Sequence, residues 1–216
     1  MNRRFLLITA LIAASLVAVG LLILDQPLAH WIHGSGLADA AFFNTGLKVL
    51  DSLLGLRISY WLAAGVMVTL GLLGVIFAAF IRLPRALAPA LLIAGLTQAL
   101  TIGLMMLGKN LFGRMRPIEL FESGDWSTLW FTSSGSFPSG HAAFYFGLFV
   151  PLAAAAPKTW QRVALISVPL FVAMARLDML KHFLSDVSAS ALIAACMALL
   201  LAPLMQRWQP ARAIHE

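Results

Sequence analysis

Four stretches of this sequence run for about 20 residues or more without a charged side chain: 5–24, 58–81, 86–107 and 187–206. At about 1.5 Å per residue, each is long enough as a helix to cross roughly 30 Å of hydrocarbon. A helix closes its own backbone hydrogen bonds, which lipid cannot do for it, so such runs dictate membrane-spanning helices. Composition agrees: 61% of residues are hydrophobic and 11% charged, and the mean hydropathy is +0.89. An average soluble domain is about 45–50% apolar and about 25% charged. A soluble globular domain and a disordered chain are both excluded, because this apolar surface exceeds what a core of this size can bury. The single cysteine, Cys196, rules out an intrachain disulfide and a zinc site built on cysteines.

Two shorter apolar runs, 142–156 and 163–175, reach only about 20 Å as helices. Extended back to Ser139 and forward to His182 they become long enough, which sets their polar ends at or just inside the membrane surface. The chain is therefore expected to be all-α, one membrane-embedded domain over residues 1–216 with six spans. Arg3 and Arg4 precede the first run as in a signal peptide. That run exceeds the ~7–15 residues of a signal's apolar region, and no small-residue cleavage site follows, so it is read as a retained helix. Cations fix the orientation. Arg3, Arg4, Arg82, Arg85, Lys158, Arg162, Arg207 and Arg212 share one side by parity, expected to be cytoplasmic, together with both termini.

The opposite side holds two long loops. In the first, Ala38, Phe42, Leu47, Leu50 and Leu54 recur at near-helical spacing, with Asp39, Lys48 and Asp51 elsewhere around the wheel. This is an amphipathic segment between the first two spans, lying in the interface plane or packed as a connector. In the second, Phe121, Trp126, Trp130 and Phe131 suit a headgroup belt. His30, His33 and His215 read as solvated, Asp178 and Lys181 as surface or partner charges, and Cys196 as packing.

Three polar clusters fall on that same outer side and break the charge bias: residues 109–117, 136–141 and 175–186. Ser139 before an apolar run is a plausible helix N-cap, and with Gly140 it opens a helix whose free N–H groups and dipole favour an oxyanion. Lys109, Arg116 and Arg176 can clamp the same oxyanion, the guanidinium forks matching phosphate oxygens. His182 and Asp186 are four apart and share a helix face. A carboxylate on one imidazole nitrogen leaves the other free to attack, and His141 can protonate the departing oxygen. Lys109, Arg114 and Arg116, beside a span, can each instead snorkel or bind lipid headgroups. Each cluster alone would suit a structural role; together they point to phosphoryl chemistry.

These clusters resemble the type-2 phosphatidic acid phosphatase superfamily of integral membrane lipid phosphatases. That family's pattern is a Lys, six residues and Arg-Pro; then Pro-Ser-Gly-His; then Ser-Arg, five residues, His, three residues and Asp. Lys109 with Arg116-Pro117, Pro138-Ser139-Gly140-His141, and Arg176, His182 and Asp186 fit these spacings in order. Ala175 stands where the pattern has Ser, a loss of one hydrogen bond worth around 1 kcal/mol. The resemblance implies that His182 forms a phosphohistidine, that Asp186 orients it, and that His141 is the acid and then the base. It implies that Lys109, Arg116, Ser139, Gly140 and Arg176 bind the phosphate, with no cofactor or metal. The expected activity is release of phosphate from a membrane lipid at the outer leaflet, with the bilayer and a phosphorylated lipid as partners and no nucleic acid. Phosphatidic acid, phosphatidylglycerol phosphate, undecaprenyl diphosphate and lipid A 1-phosphate are equally open as substrates. A lipid-to-lipid phosphotransferase and a non-catalytic lipid-binding or transport protein are the alternatives, and oligomeric state is open.

Overall fold

The computed structural model describes residues 1–36, 38–77 and 86–207. Arg82, Arg85, Arg212 and His215 lie outside them. The architecture is all-α, with no strand among the described residues. Helix α1 (Arg3–Val19) passes through a π-helical turn (Gly20–Leu24) into α2 (Asp25–Gly34). There follow α3 (Ala41–Leu53), α4 (Leu62–Ile76), α5 (Leu87–Phe112) and the short α6 (Pro117–Ser123). The chain closes with α7 (Gly140–Ala155), α8 (Thr159–Asp178) and α9 (Leu184–Arg207).

Among the described residues, four helical stretches are long and apolar enough to cross a membrane: Arg3–Gly34, Leu87–Ser123, Thr159–Asp178 and Leu184–Met205. Leu62–Ile76 and Gly140–Ala155 are apolar but shorter. Helix α5 runs beyond the expected end of its apolar stretch, so Lys109 stands in its last turn rather than in a loop. Gly113 then ends the helix with a left-handed backbone (φ +48°), its N–H bonded to the Lys109 carbonyl. A Cβ there would lie 2.1 Å from the Thr132 carbonyl oxygen, so only glycine lets the chain turn this closely against its neighbour.

Packing rests on small residues, as expected where lipid tails give helices no hydrophobic reason to associate. Ala191, Ala194, Ala195, Ala198 and Ala202 of α9 are buried with Leu6 and Ala13 of α1 and with Ala142, Phe146, Val150 and Ala154 of α7. A second cluster joins Leu47 of α3, Ala63 of α4, Ile102 and Met105 of α5, Phe144 and Tyr145 of α7 and Val172 of α8. The chain's start meets the far end of α7, where Asn2 N–H donates to the Ala154 carbonyl (2.7 Å). Met1, Ala155 and Met205 gather at that same end.

The first long loop holds α2 and then α3, the latter lying over the expected amphipathic segment. Leu47 is buried and Phe43, Leu50 and Leu54 pack beside it, while Phe42 is exposed. Asp51, expected on the polar side of the wheel, is buried. Asp178 is not a loose surface charge, since its carboxylate accepts from Ala40 N–H (2.8 Å) and holds the start of α3. His30 and His33 are exposed but stack on Trp126 and Phe121 respectively.

Candidate active site

The three sequence clusters meet at the end of the bundle away from the N-terminus, and backbone groups stitch them together. Ser136 N–H donates to the Arg114 carbonyl (2.8 Å) and Ile118 N–H to the Leu180 carbonyl (3.0 Å). Ser139 N–H donates to the Asp186 carbonyl (3.1 Å), and Ser190 Oγ returns a bond to the Ser139 carbonyl (2.8 Å). Two consecutive carbonyls then hold two site side chains: Gly135 accepts from Lys109 Nζ, and Ser136 accepts from His182 Nδ1 at 2.9 Å.

His182 lies between α8 and α9, outside both helices, with 4% of its side chain exposed. Its closest hydrogen-bond partner is the Ser136 carbonyl; the Asp186 carboxylate stands 3.5 Å from the same nitrogen. A carbonyl can only accept, so the proton sits on Nδ1 and the lone pair on Nε2. Burial pushes the imidazole pKa down to about 4, against the pull of Asp186, so the ring is neutral at physiological pH. The charges of Arg176 and Lys109 also reach it and favour the neutral form.

Asp186 is fully occupied. Its Oδ2 accepts from Ser136 Oγ (2.5 Å) and Phe183 N–H (2.8 Å), and its Oδ1 accepts from Arg114 Nη1 (2.6 Å). Arg114 is therefore not a headgroup cation. It is 1% exposed, bridges Asp186 to Asp25 (Nη2 to Oδ2, 2.7 Å), and lies between the rings of Trp130 and Phe183. Ser185 completes the knot, its N–H and Oγ both donating to Asp25. Burying a guanidinium between two carboxylates and two rings is how a low-dielectric site tolerates three charges.

The predicted phosphate-binding residues are placed as follows. Lys109, Arg116 and Arg176 are close enough for each to feel another's charge. Among the described residues their one ion pair is a long one, Glu119 at 3.9 Å from Arg116 Nε, and Lys109 is held by a carbonyl. Among the described residues, the Nε–H groups of Arg116 and Arg176, like that of Arg114, are buried without a hydrogen-bond partner. Buried donors without an acceptor are costly, and three adjacent cations repel, unless an anion joins them. Ser139 caps α7 by accepting from Ala142 N–H (3.4 Å), and Gly140 opens that helix beside the Tyr60 hydroxyl. The side chains of Arg116 and His141 are 39% and 23% exposed, while His182 lies deeper.

His141 brings a partner absent from the sequence reading. Its Nε2 is 3.2 Å from Asp51 Oδ2, and Asp51 Oδ1 accepts from Tyr145 Oη (2.9 Å). Arg114, Asp25, Asp51 and Tyr145 were all missed. A faint signal existed for Asp25, an acid set directly against a long apolar run, because ionisable groups at such depth are normally paired.

Such a site, in a chain with several membrane-length apolar helices, sets a neutral, oriented imidazole beside three cations. The model of the PAP2 superfamily matches residues 87–210, more than half of the chain, and the chain belongs to that superfamily, the type-2 phosphatidic acid phosphatases, whose members are phosphatases of phosphoester substrates. No curated protein and no solved structure matches the chain at a significant level.

Proposed function

We propose that this protein is a metal-independent lipid phosphatase of the inner membrane that removes a phosphate or diphosphate group at the outer leaflet. Its six spans would be α1, α4, α5, α7, α8 and α9, with the site at the exterior end and both termini cytoplasmic. The observation that carries the reading is the buried Nε–H groups of Arg116 and Arg176, to which no described residue is hydrogen-bonded, near a histidine whose Nδ1 proton is fixed by the Ser136 carbonyl.

In the first step the His182 Nε2 lone pair bonds to phosphorus as the bond to the lipid oxygen breaks. His141 gives that oxygen its proton. Asp186 and the Ser136 carbonyl stabilise the positive charge that develops on the His182 ring. Lys109, Arg116, Arg176, the Ser139 hydroxyl and the Gly140 N–H stabilise the equatorial oxygens, the task a metal performs elsewhere. In the second step His141 takes a proton from water, the water oxygen bonds to phosphorus, and the P–N bond breaks. Inorganic phosphate leaves and His182 returns to its neutral form.

The test is phosphate release in EDTA from purified phosphatidic acid, phosphatidylglycerol phosphate, undecaprenyl diphosphate and lipid A 1-phosphate, for wild type and His182→Ala. Wild type should turn over at least one of them, and His182→Ala should lose on the order of 10³-fold or more, as when a nucleophile is removed. Undiminished release by His182→Ala would eliminate the phosphohistidine, and release abolished by EDTA would eliminate metal independence.

A further inference from the structure

The amphipathic loop before α4 looks at first like scaffolding, and it lies outside the residues that match the superfamily. Yet Asp51 of α3 reaches the opening of α7 and binds the imidazole of His141. The contact is specific. One carboxylate oxygen takes His141 Nε2 at 3.2 Å and the other is held by the Tyr145 hydroxyl at 2.9 Å, one helical turn further along α7. Asp51 therefore cannot swing without breaking a buried bond, and 12% of its side chain is exposed. Its charge also reaches Arg176 and Tyr60, so the pair belongs to the same cluster of cations.

We infer that Asp51 is a positioning residue for proton transfer: it holds the Nε2–H of His141 so that Nδ1 is the nitrogen that exchanges a proton with the leaving group. A carboxylate only accepts, so the proton on Nε2 is fixed whichever way the rest of the ring titrates. The neutral ring then carries its lone pair on Nδ1, and the protonated ring carries its transferable proton there. No described residue bonds Nδ1. Asp51 also stabilises the imidazolium electrostatically, as a buried acid behind an imidazole does in hydrolytic triads. Tyr145 fixes the acid, the acid fixes the imidazole, and the imidazole serves the substrate. This rests on the reading of His141 as the general acid.

The experiment compares kcat/KM for two substrates that differ in need of an acid: p-nitrophenyl phosphate, whose leaving group departs unprotonated, and dioctanoyl phosphatidic acid, whose alkoxide does not. The full-length protein in detergent micelles is used. Asp51→Asn should lower kcat/KM for the lipid by at least about tenfold, part of the roughly 10²–10⁴-fold a positioned acid supplies, and leave the aryl ester within about threefold. Equal losses on both substrates would mean that Asp51 is merely structural, and no loss on either would also end the inference. His141→Ala serves as the reference. If it too loses both substrates equally, the general-acid reading itself fails; if it is selective and Asp51→Asn is not, only the role of Asp51 fails. Should Asp51→Asn not fold, Tyr145→Phe decides, with the same selectivity expected in weaker form and overturned by its absence.

Discussion

Arg114 shows how much a single side chain can hold. Its guanidinium is 1% exposed and serves Asp25 and Asp186 through separate nitrogens, so it ties the start of α2 to the first turn of α9. Removing it strands two buried carboxylates, and breaking a buried ion pair from one side costs about 3–5 kcal/mol. Arg114→Leu should therefore lose that much stability, read as a fall in Tm in detergent. Arg114→Lys should fall between, because one ammonium cannot reproduce a fork that spans two acids. An unchanged Tm for Arg114→Leu would mean that the two carboxylates take up water or protons instead. Lys109, Arg116 and Arg176 differ from Arg114 in kind. Arg114 holds two carboxylates at 2.6 and 2.7 Å, whereas among the described residues the one ion pair of the other three is Arg116 with Glu119 at 3.9 Å, so Arg114 ties the fold together and, under the proposed function, the others face the ligand.

Among the elements, the pairing of α4 with α5 rests on close backbone approach. A Cβ on Gly95 of α5 would stand 2.8 Å from both the Ala64 carbonyl oxygen and the Val68 nitrogen of α4. Backbone atoms cannot step aside as a side chain would, so the helices must separate to admit a methyl group. Gly95→Val should cost about 1–3 kcal/mol as an overpacking change, measured by thermal unfolding in detergent. If Gly95→Val melts with wild type, α4 is not seated on α5 as described. The same small-residue logic runs through α9, whose alanines let α1 and α7 come near. That nearness positions the site, since Asp186 sits in the first turn of α9 and Ser139 caps α7.

For the molecule as a whole, the two ends of the bundle divide the labour. Met1, Ala155 and Met205 meet at one end, and Lys109, His182 and Ser136 meet at the other. Under the proposed topology the second end is exterior. A membrane-impermeant maleimide applied to intact cells should then label Ser127→Cys, and should label Lys158→Cys only after permeabilisation, both in a Cys196→Ala background. Ser127 and Lys158 are both exposed, so access is decided by the membrane alone. The reverse pattern would put the site on the cytoplasmic side. The amino acids alone already determined much of this: helices from uncharged runs, the start of α7 from Ser139, and the meeting of three clusters from parity and spacing. Those are properties of short windows, where solvent preference and helical periodicity suffice. Which groups would pair was decided only by tertiary structure. Arg114 reaches Asp186 and Asp25 across 72 and 89 positions, and Asp51 reaches His141 and Tyr145 across 90 and 94. No periodicity connects residues so far apart, and a charge beside an apolar run looks the same in sequence whether it turns outward to headgroups or inward to an acid. Burial decides between these, and burial exists only once the helices have packed.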